Sequence, residues 1–247
     1  ACSFIIMNEH APSVALVLAT PKIFTKATEG ACSFIIMNDT FNNHSVIATP
    51  GKTRNKAKHD PNQQRRKPLK GIPQKTPLNI PFHLAEQLWY EGWQQRDWVI
   101  WDKTDQGIGD CTQTDKGRDG FEFILYHFKH PSNTRPFSRM KPGFLKSNIL
   151  RCPPMKGKAK KDTGHRCPFP PELVEPLILA CTEPGETVVD LFGGSGSTAV
   201  AALRNGRKCV TGDLSEANCA MTVKRCLPLL NIHDEDVKIN FTNKEVA

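Results

Sequence analysis

No apolar run in this 247-residue chain approaches the ~18 residues that a membrane span needs; the longest, VALVLA at 14–19, is far too short. Nothing near the N-terminus reads as a secretory signal. The nine cysteines, an odd number, contain no C-x-x-C pair. Reduced thiols are therefore expected rather than a zinc site or a disulfide framework, and no metal is expected. Hydrophobic residues are few, at 38%, but enough for a core. The length allows one large domain, or one domain with appendages.

Acids are nearly missing from two stretches. Segment 52–75 holds nine Lys/Arg against one acid, and segment 129–166 holds eleven against one. Together they carry +18, so the remainder carries −10. A basic excess confined to two polar, Pro/Gly-punctuated segments is the footprint of a polyanionic partner. The plainer reading is a pair of solvated loops.

The N-terminal region contains an identical repeat, ACSFIIMN at 1–8 and again at 31–38. Each copy reads as a short buried strand, at 4–7 and 34–37. No longer period follows, so this is no solenoid. One copy is expected to fill the native strand slot, with residues 1–30 a duplicated or aberrant start. The first residue is Ala rather than Met, which suggests a fragment.

Residues 51–77, punctuated by prolines, should form a loop. In 81–92, Phe82, Leu84, Ala85, Leu88 and Trp89 recur at helical spacing before Gly92. WVIW at 98–101 reads as a strand and 102–120 as a loop. FEFILYHF at 121–128 is apolar on both alternating faces, as a central buried strand should be. Pro170 and Pro171 can open a helix running to Cys181. Strands follow at 187–191 and 208–212, with a helix at 195–205 between them. Ser215 is placed to cap a helix over 216–226. The class is α/β, with a mostly parallel twisted sheet and helices on both faces.

The densest information lies in TVVDLFGGSGSTAVAALRNGRKCVTGD at 187–213. A strand ends at Asp190; Gly193, Gly194 and Gly196 allow a tight turn that a ligand can approach closely. A helix N-terminus with free N–H groups follows. Asp213 ends the next strand, where a carboxylate can accept both hydroxyls of a ribose. A dinucleotide and S-adenosylmethionine both suit this layout, the first implying an NAD(P)-binding oxidoreductase. Asp190, directly before the glycines, suits the positive sulfonium and ammonium of S-adenosylmethionine. Only 34 residues follow Asp213, whereas nicotinamide domains usually start with this turn.

The stretch from His165 to Cys226 resembles the C-terminal half of the permuted, beta-class DNA amino-methyltransferases, which act on adenine N6 or cytosine N4. His165, Phe169 and Pro170 match a His-Pro-x-x-Phe-Pro element. Asp190, Phe192, Gly194, Ser195 and Gly196 match an Asp-Pro-Phe-x-Gly-Ser-Gly-Thr turn, with Leu191 in place of its proline. Gly206-Arg207 and Asp213 match the rest, and the resemblance covers roughly 31–227. It implies a circularly permuted Rossmann-like fold. Residues 31–128 would form the catalytic-side half, with the basic loop 51–77. Residues 129–166 would be the target-recognition segment, 167–230 the cofactor half, and 231–247 a tail.

The implied activity is methyl transfer from S-adenosylmethionine to a base amine in double-stranded DNA, by a monomer or homodimer in a prokaryotic or phage-infected cytoplasm. The implied cofactor residues are Asp190, Phe192, Gly193, Gly194, Ser195, Gly196, Asp213, His165, Phe169 and Pro170. Lys156, Lys158, Lys160 and Lys161 would meet phosphates. Arg135 or Arg139 could read a guanine edge. Trp89, Trp93, Trp98 and Trp101 are read as packing residues rather than base platforms. His127 and His165 are read as packing or hydrogen-bonding groups rather than bases.

The family's catalytic tetrapeptide, Asp/Asn/Ser-Pro-Pro-aromatic, is missing, so the catalytic residues are unknown. Cys152-Pro153-Pro154-Met155 has the wrong ends and the wrong place, and reads as a loop. A flipped base needs that aromatic to stack on and two acceptors for its amine. A truncated copy, or a catalytically inactive DNA-binding remnant, is the reading this absence supports. If the first repeat copy is superfluous, deleting residues 1–30 leaves the melting temperature unchanged; a large loss in thermal denaturation would show that it is integral.

Overall fold

A nine-residue apolar strand organises the larger sheet. The structure, a computed structural model, describes residues 31–38, 45–46, 65–66, 69–73, 76–104, 120–129, 145–157, 168–213 and 215–230. Its strands are β1 (Cys32–Met37), β2 (Ser45–Val46), β3 (Arg65–Arg66), β4 (Trp93–Asp102), β5 (Phe121–Lys129), β6 (Ile149–Arg151), β7 (Thr187–Asp190) and β8 (Lys208–Thr211). Its α-helices are α1 (Ile80–Tyr90), α2 (Pro171–Cys181), α3 (Ser197–Arg204) and α4 (Glu216–Cys226). Among the described residues no helix is long and apolar enough to cross a membrane. The first repeat copy, at 1–8, lies outside the described residues; the second forms β1.

β5 pairs antiparallel with β1 on one side and with β4 on the other, giving the order β1-β5-β4-β6. Both of its faces are covered over most of its length, which is why apolar residues fall on both alternating faces from Phe123 to Tyr126. Of the four strands of this sheet, β5 alone is reversed: β1, β4 and β6 run in one direction, in keeping with the mostly parallel sheet expected. Among the described pairs, those about β5 are antiparallel; β4–β6 and β7–β8 are parallel. β5 follows β4 directly in the chain without an intervening described helix, so it returns in the opposite direction. β6 also lies inside a segment read as loop throughout.

Helices cover both faces of this sheet, as expected. On one face Phe34, Ile36, Ile124, Tyr126, Val99 and Trp101 pack with Leu173, Val174, Leu177 and Ile178 of α2, and with Val188 and Ala201. The rings of Phe34 and Tyr126 stack at 4.6 Å. On the other face Ile35, Met37, Leu125 and Trp93 meet Ile80, Leu84 and Leu88 of α1. The spacing of those three α1 residues places them on one stripe. The helix ends where Gly92 turns to a φ of 80°.

The remaining elements build one βαβ unit. β7 and β8 lie parallel, in register from Thr187↔Lys208 to Asp190↔Thr211, with α3 as the crossover. The small residues of α3 let it bury almost wholly, with Ala201 and Ala202 reaching the main core and Ala199 and Val200 packing with Cys226 of α4. Ser215 caps α4, accepting from the Asn218 amide at 3.4 Å.

The two stripes of α1 differ sharply in weight. Leu84→Ala, at a fully buried position, is expected to lower the unfolding free energy by about 3 kcal/mol. Trp89→Ala, where the residue is 70% exposed, should change it by less than ~0.5 kcal/mol. Urea unfolding of both variants checks the contrast.

Candidate functional site

The strand-to-helix turn after β7 is stitched to the end of β8 by three hydrogen bonds. The Gly212 amide donates to the Asp190 carbonyl at 3.0 Å, and the Gly193 amide donates to the Gly212 carbonyl at 2.8 Å. The Gly194 amide donates to Asp213 Oδ2 at 2.9 Å. Asp190 therefore ends β7, and Asp213 lies two residues beyond the end of the parallel β8, on the same edge of the unit. This is the open carboxyl end of a parallel pair, where ligands bind in such sheets.

Two glycines are demanded by space. A Cβ at Gly193 would stand 2.2 Å from Thr211 Oγ1. Gly196, with a φ of 78°, would bring its Cβ to 2.7 Å from Thr222 of α4. Only glycine lets the turn lie this close to both β8 and α4.

Asp190 is fully buried. Its Oδ1 accepts from the Phe192 amide at 3.0 Å. Its Oδ2 is buried without a hydrogen bond of normal geometry among the described residues, and the nearby buried Thr198 hydroxyl acts on it at looser geometry. Burial pushes the carboxyl up to about 7, and the negative Asp213 adds to this; the Thr198 hydroxyl and Phe192 amide oppose it. A buried carboxyl with one oxygen so loosely engaged is a receptor for a cationic or donor group.

Asp213 is differently placed. Besides Gly194, its carboxylate accepts from the Ser215 amide at 2.8 Å and from Asn218 Nδ2 at 3.0 Å, both on Oδ1. A carboxylate offers about four acceptor positions, so one remains, on Oδ2. The expectation that Asp213 accepts two ribose hydroxyls is thus narrowed to one in this conformation, because the Gly194 and Ser215 amides and the Asn218 side chain already use the rest.

The other expected residues divide. Phe169 and Pro170 are buried beside the turn, and the Ser197 hydroxyl donates to the Phe169 carbonyl at 2.6 Å. Ser195 is buried within the turn and Phe192 is half-buried. His165 lies outside the described residues, as do Arg135, Arg139, Lys158, Lys160 and Lys161. Lys156 is described and exposed. Cys152 to Met155 run without regular structure, tied by Trp101 Nε1 donating to the Cys152 carbonyl at 2.6 Å.

Sequence reasoning missed Arg225. Its Nη1 donates to the Ser195 carbonyl, and to the Ser195 and Ser197 hydroxyls at 3.1 and 3.4 Å, clamping the turn from α4. No local signal marks it, since only tertiary packing brings α4 to the turn. Of the four tryptophans, Trp93 and Trp101 are buried as expected. Trp89 is exposed and Trp98 half-buried, which corrects the packing assignment for Trp89.

A family model described as DNA methylase matches residues 22–224. The match begins inside the segment 1–30 that had been expected to be aberrant. The Type II methyltransferase M.Cfr9I of Citrobacter freundii is 27% identical over 163 residues, which cover 63% of this chain and 52% of that protein. M1.MboII of Moraxella bovis is 27% identical over 174 residues, covering 57% of this chain and 65% of the relative. The chain thus spans about half the length of several curated relatives that it matches. Among solved structures, the cytosine-N4-specific PvuII DNA methyltransferase aligns with a TM-score of 0.63 at 15% identity, covering 96% of this chain and 82% of that one. A putative DNA modification methylase from Thermus thermophilus, complexed with S-adenosyl-L-methionine, aligns with a TM-score of 0.59 at 17% identity, covering 94% and 87%. These likenesses establish the fold.

The buried Asp190 carboxyl sets a pH signature. Its folded-state value, about 7, lies above the ordinary 3.8. Between these values the folded state keeps a proton that the unfolded chain releases, so stability falls as pH rises through the window and levels off above it. His127, pushed down by burial to about 4 from 6.5, gives the opposite slope below pH 6.5. That slope is common to parent and variant. Without cofactor, the melting temperature of Asp190→Asn minus that of the parent should therefore increase from pH 4 to 7 and stay flat above; a difference independent of pH would refute the assignment.

Proposed function

Because this chain belongs to the N6/N4 DNA methylase family, we propose that it is a site-specific DNA methyltransferase. It uses S-adenosylmethionine and acts on an exocyclic base amine, adenine N6 or cytosine N4, as a monomer or homodimer in a prokaryotic or phage-infected cytoplasm. The observation that carries the cofactor assignment is the loosely engaged Oδ2 of Asp190, buried at the mouth of the glycine turn. When bound, S-adenosylmethionine supplies an electrophilic methyl group on a sulfonium. Asp190 provides the counter-charge for the cationic end of that ligand. Asp213 offers its remaining acceptor position to a ribose hydroxyl. Phe192 and the Phe169-Pro170 element supply apolar surface beside the turn, and Arg225 holds the turn's shape. A pyrophosphate at the same helix N-terminus would meet the Asp190 carboxylate, which disfavours the nicotinamide reading.

On the DNA side, Lys156 and its basic neighbours in segment 129–166 give salt-dependent affinity through phosphates, without sequence choice. The remaining acceptor problem lies upstream of β1. No Asp/Asn/Ser-Pro-Pro-aromatic run exists there, but Thr20-Pro21-Lys22-Ile23 follows the apolar run at 14–19. It keeps a hydroxyl and one proline and lacks the second proline and the aromatic. This degenerate sequence favours a chain that binds cofactor and DNA but transfers methyl groups weakly, since positioning of the amine lone pair is lost.

Calorimetry should show S-adenosylmethionine binding and no NAD binding. Affinity should weaken as pH drops below about 7, because Asp190 must then release a proton to receive the cation. Asp190→Asn should weaken binding about thirty-fold or more. In a tritiated-methyl assay on mixed duplex DNA, turnover should be weak or absent, and Lys22→Pro with Ile23→Tyr should raise it. Robust turnover by the unaltered chain would overturn the reading of a degenerate catalytic element.

A further inference from the structure

The two faces of the larger sheet are covered unequally. α2 covers one, together with Val188 and Ala201 of the βαβ unit; among the described residues α1 is the helix on the other. Beyond α1 that second face ends in a row of rings. Phe121 meets Phe123 at 5.3 Å, Phe123 meets Trp98 at 5.7 Å, and Trp98 lies 5.1 Å from Phe82 of α1. Trp89 and Tyr90, stacked at 6.3 Å, stand at the end of α1. Phe82 is 50% exposed, Trp89 70%, Tyr90 76% and Phe121 45%. Rings of this size leave roughly 500 Å² of aromatic surface in water, enough to mark an interaction site.

The charges say what kind of partner. Phe82, Glu86, Trp89, Gln94 and Trp98 line a cleft of about 410 Å³ between α1 and β4, and no Lys or Arg lines it. A phosphate gains nothing there. Glu91 beside Tyr90 and Asp97 beside Trp98 add negative charge, which an anionic lipid surface repels. A protein surface suits this face, and its features complement themselves. The stacked Trp89–Tyr90 pair is a projection next to a hollow. Glu86 is exposed in the hollow, and Arg96, the extra residue of the bulge between Gln95 and Asp97, is exposed on β4. Among the described residues neither side chain makes an ion pair. A two-fold axis through the face gives each of them the other as a partner. The area agrees: a standard interface takes about 800 Å² from each copy, about two-thirds of it apolar in homodimers, or about 500 Å².

We propose that two copies of this chain pair through this face, Tyr90 of each entering the cleft of the other and Glu86 of each meeting Arg96 of the other. The buried rings supply the affinity, and the two crossed charge pairs fix the register. The inference rests on the homodimer form of the proposed function and on none of the cofactor residues.

Sedimentation of the full chain across micromolar concentrations should show a reversible dimer. Trp89→Ala should raise its dissociation constant about thirty-fold. Below that constant the variant should unfold in urea as the parent does, so that the loss belongs to the contact and not to the fold. Glu86→Arg and Arg96→Glu should each raise the constant at least about ten-fold, because like charges then face each other twice. Mixing those two variants should restore the parental affinity, since every pair across the axis is then opposite in charge. S-adenosylmethionine calorimetry is run on the same proteins. A parent that stays monomeric, a dimer that survives Trp89→Ala, or charge variants whose mixture recovers nothing would overturn the proposal, and cofactor binding in the parent would then leave the cofactor reading intact. A Trp89-dependent dimer with rescue on mixing, in a chain that binds no S-adenosylmethionine, would keep this proposal and remove the cofactor reading.

Discussion

The hydrogen bond from the Gly194 amide to Asp213 Oδ2 is the contact on which the site's geometry turns. It draws the turn after β7 onto the end of β8, and so sets two carboxyl groups side by side. Like charges held close in a region from which water is excluded cannot both ionise cheaply. The structure separates their roles by environment. Asp213 is half-buried and accepts from three N–H donors. Asp190 is fully buried, and burial pushes its carboxyl up to about 7. A backbone amide thus brings together two acids that the fold sets in different surroundings.

That arrangement is held in place by parts with no chemistry of their own. The small residues of α3 allow it to sink between α2 and α4. α2 in turn covers the sheet face on which Phe34 and Tyr126 stack. Arg225 reaches back from α4 to the turn, and Ser197 ties the same turn to Phe169. Residues 31–128 and 168–230 are therefore joined through one apolar core, containing residues of β1, β4, β5, α2, β7 and α3. The turn cannot shift without disturbing that core.

Much of this was legible in order of residues. The strand at 121–128 revealed its central place through apolar residues on both faces, and the structure gives Phe121–Lys129 between two partners. Helix starts at Pro171 and Ser215 were legible because their chemistry is local. The reversed direction of β5 was not, because antiparallel return depends on how a loop closes rather than on residue pattern. β6 was missed inside a basic, proline-bearing stretch, since its three residues gain their pairing only from the edge of β4. Helical spacing collected Phe82 and Trp89 with Leu84 and Leu88, yet only the latter pair is buried. Periodicity marks an apolar surface and does not say which part of it finds a neighbour.

The sequence by itself determined the element order, the glycine turn, the two acids that flank it and the family they belong to, because each rests on short-range geometry or a contiguous pattern. Only the tertiary structure decided which of those acids is fully buried, that Arg225 clamps the turn, and that Trp89 stands exposed. Those outcomes depend on burial and on pairs distant in the chain, and burial is a property of the assembled core rather than of any residue in it.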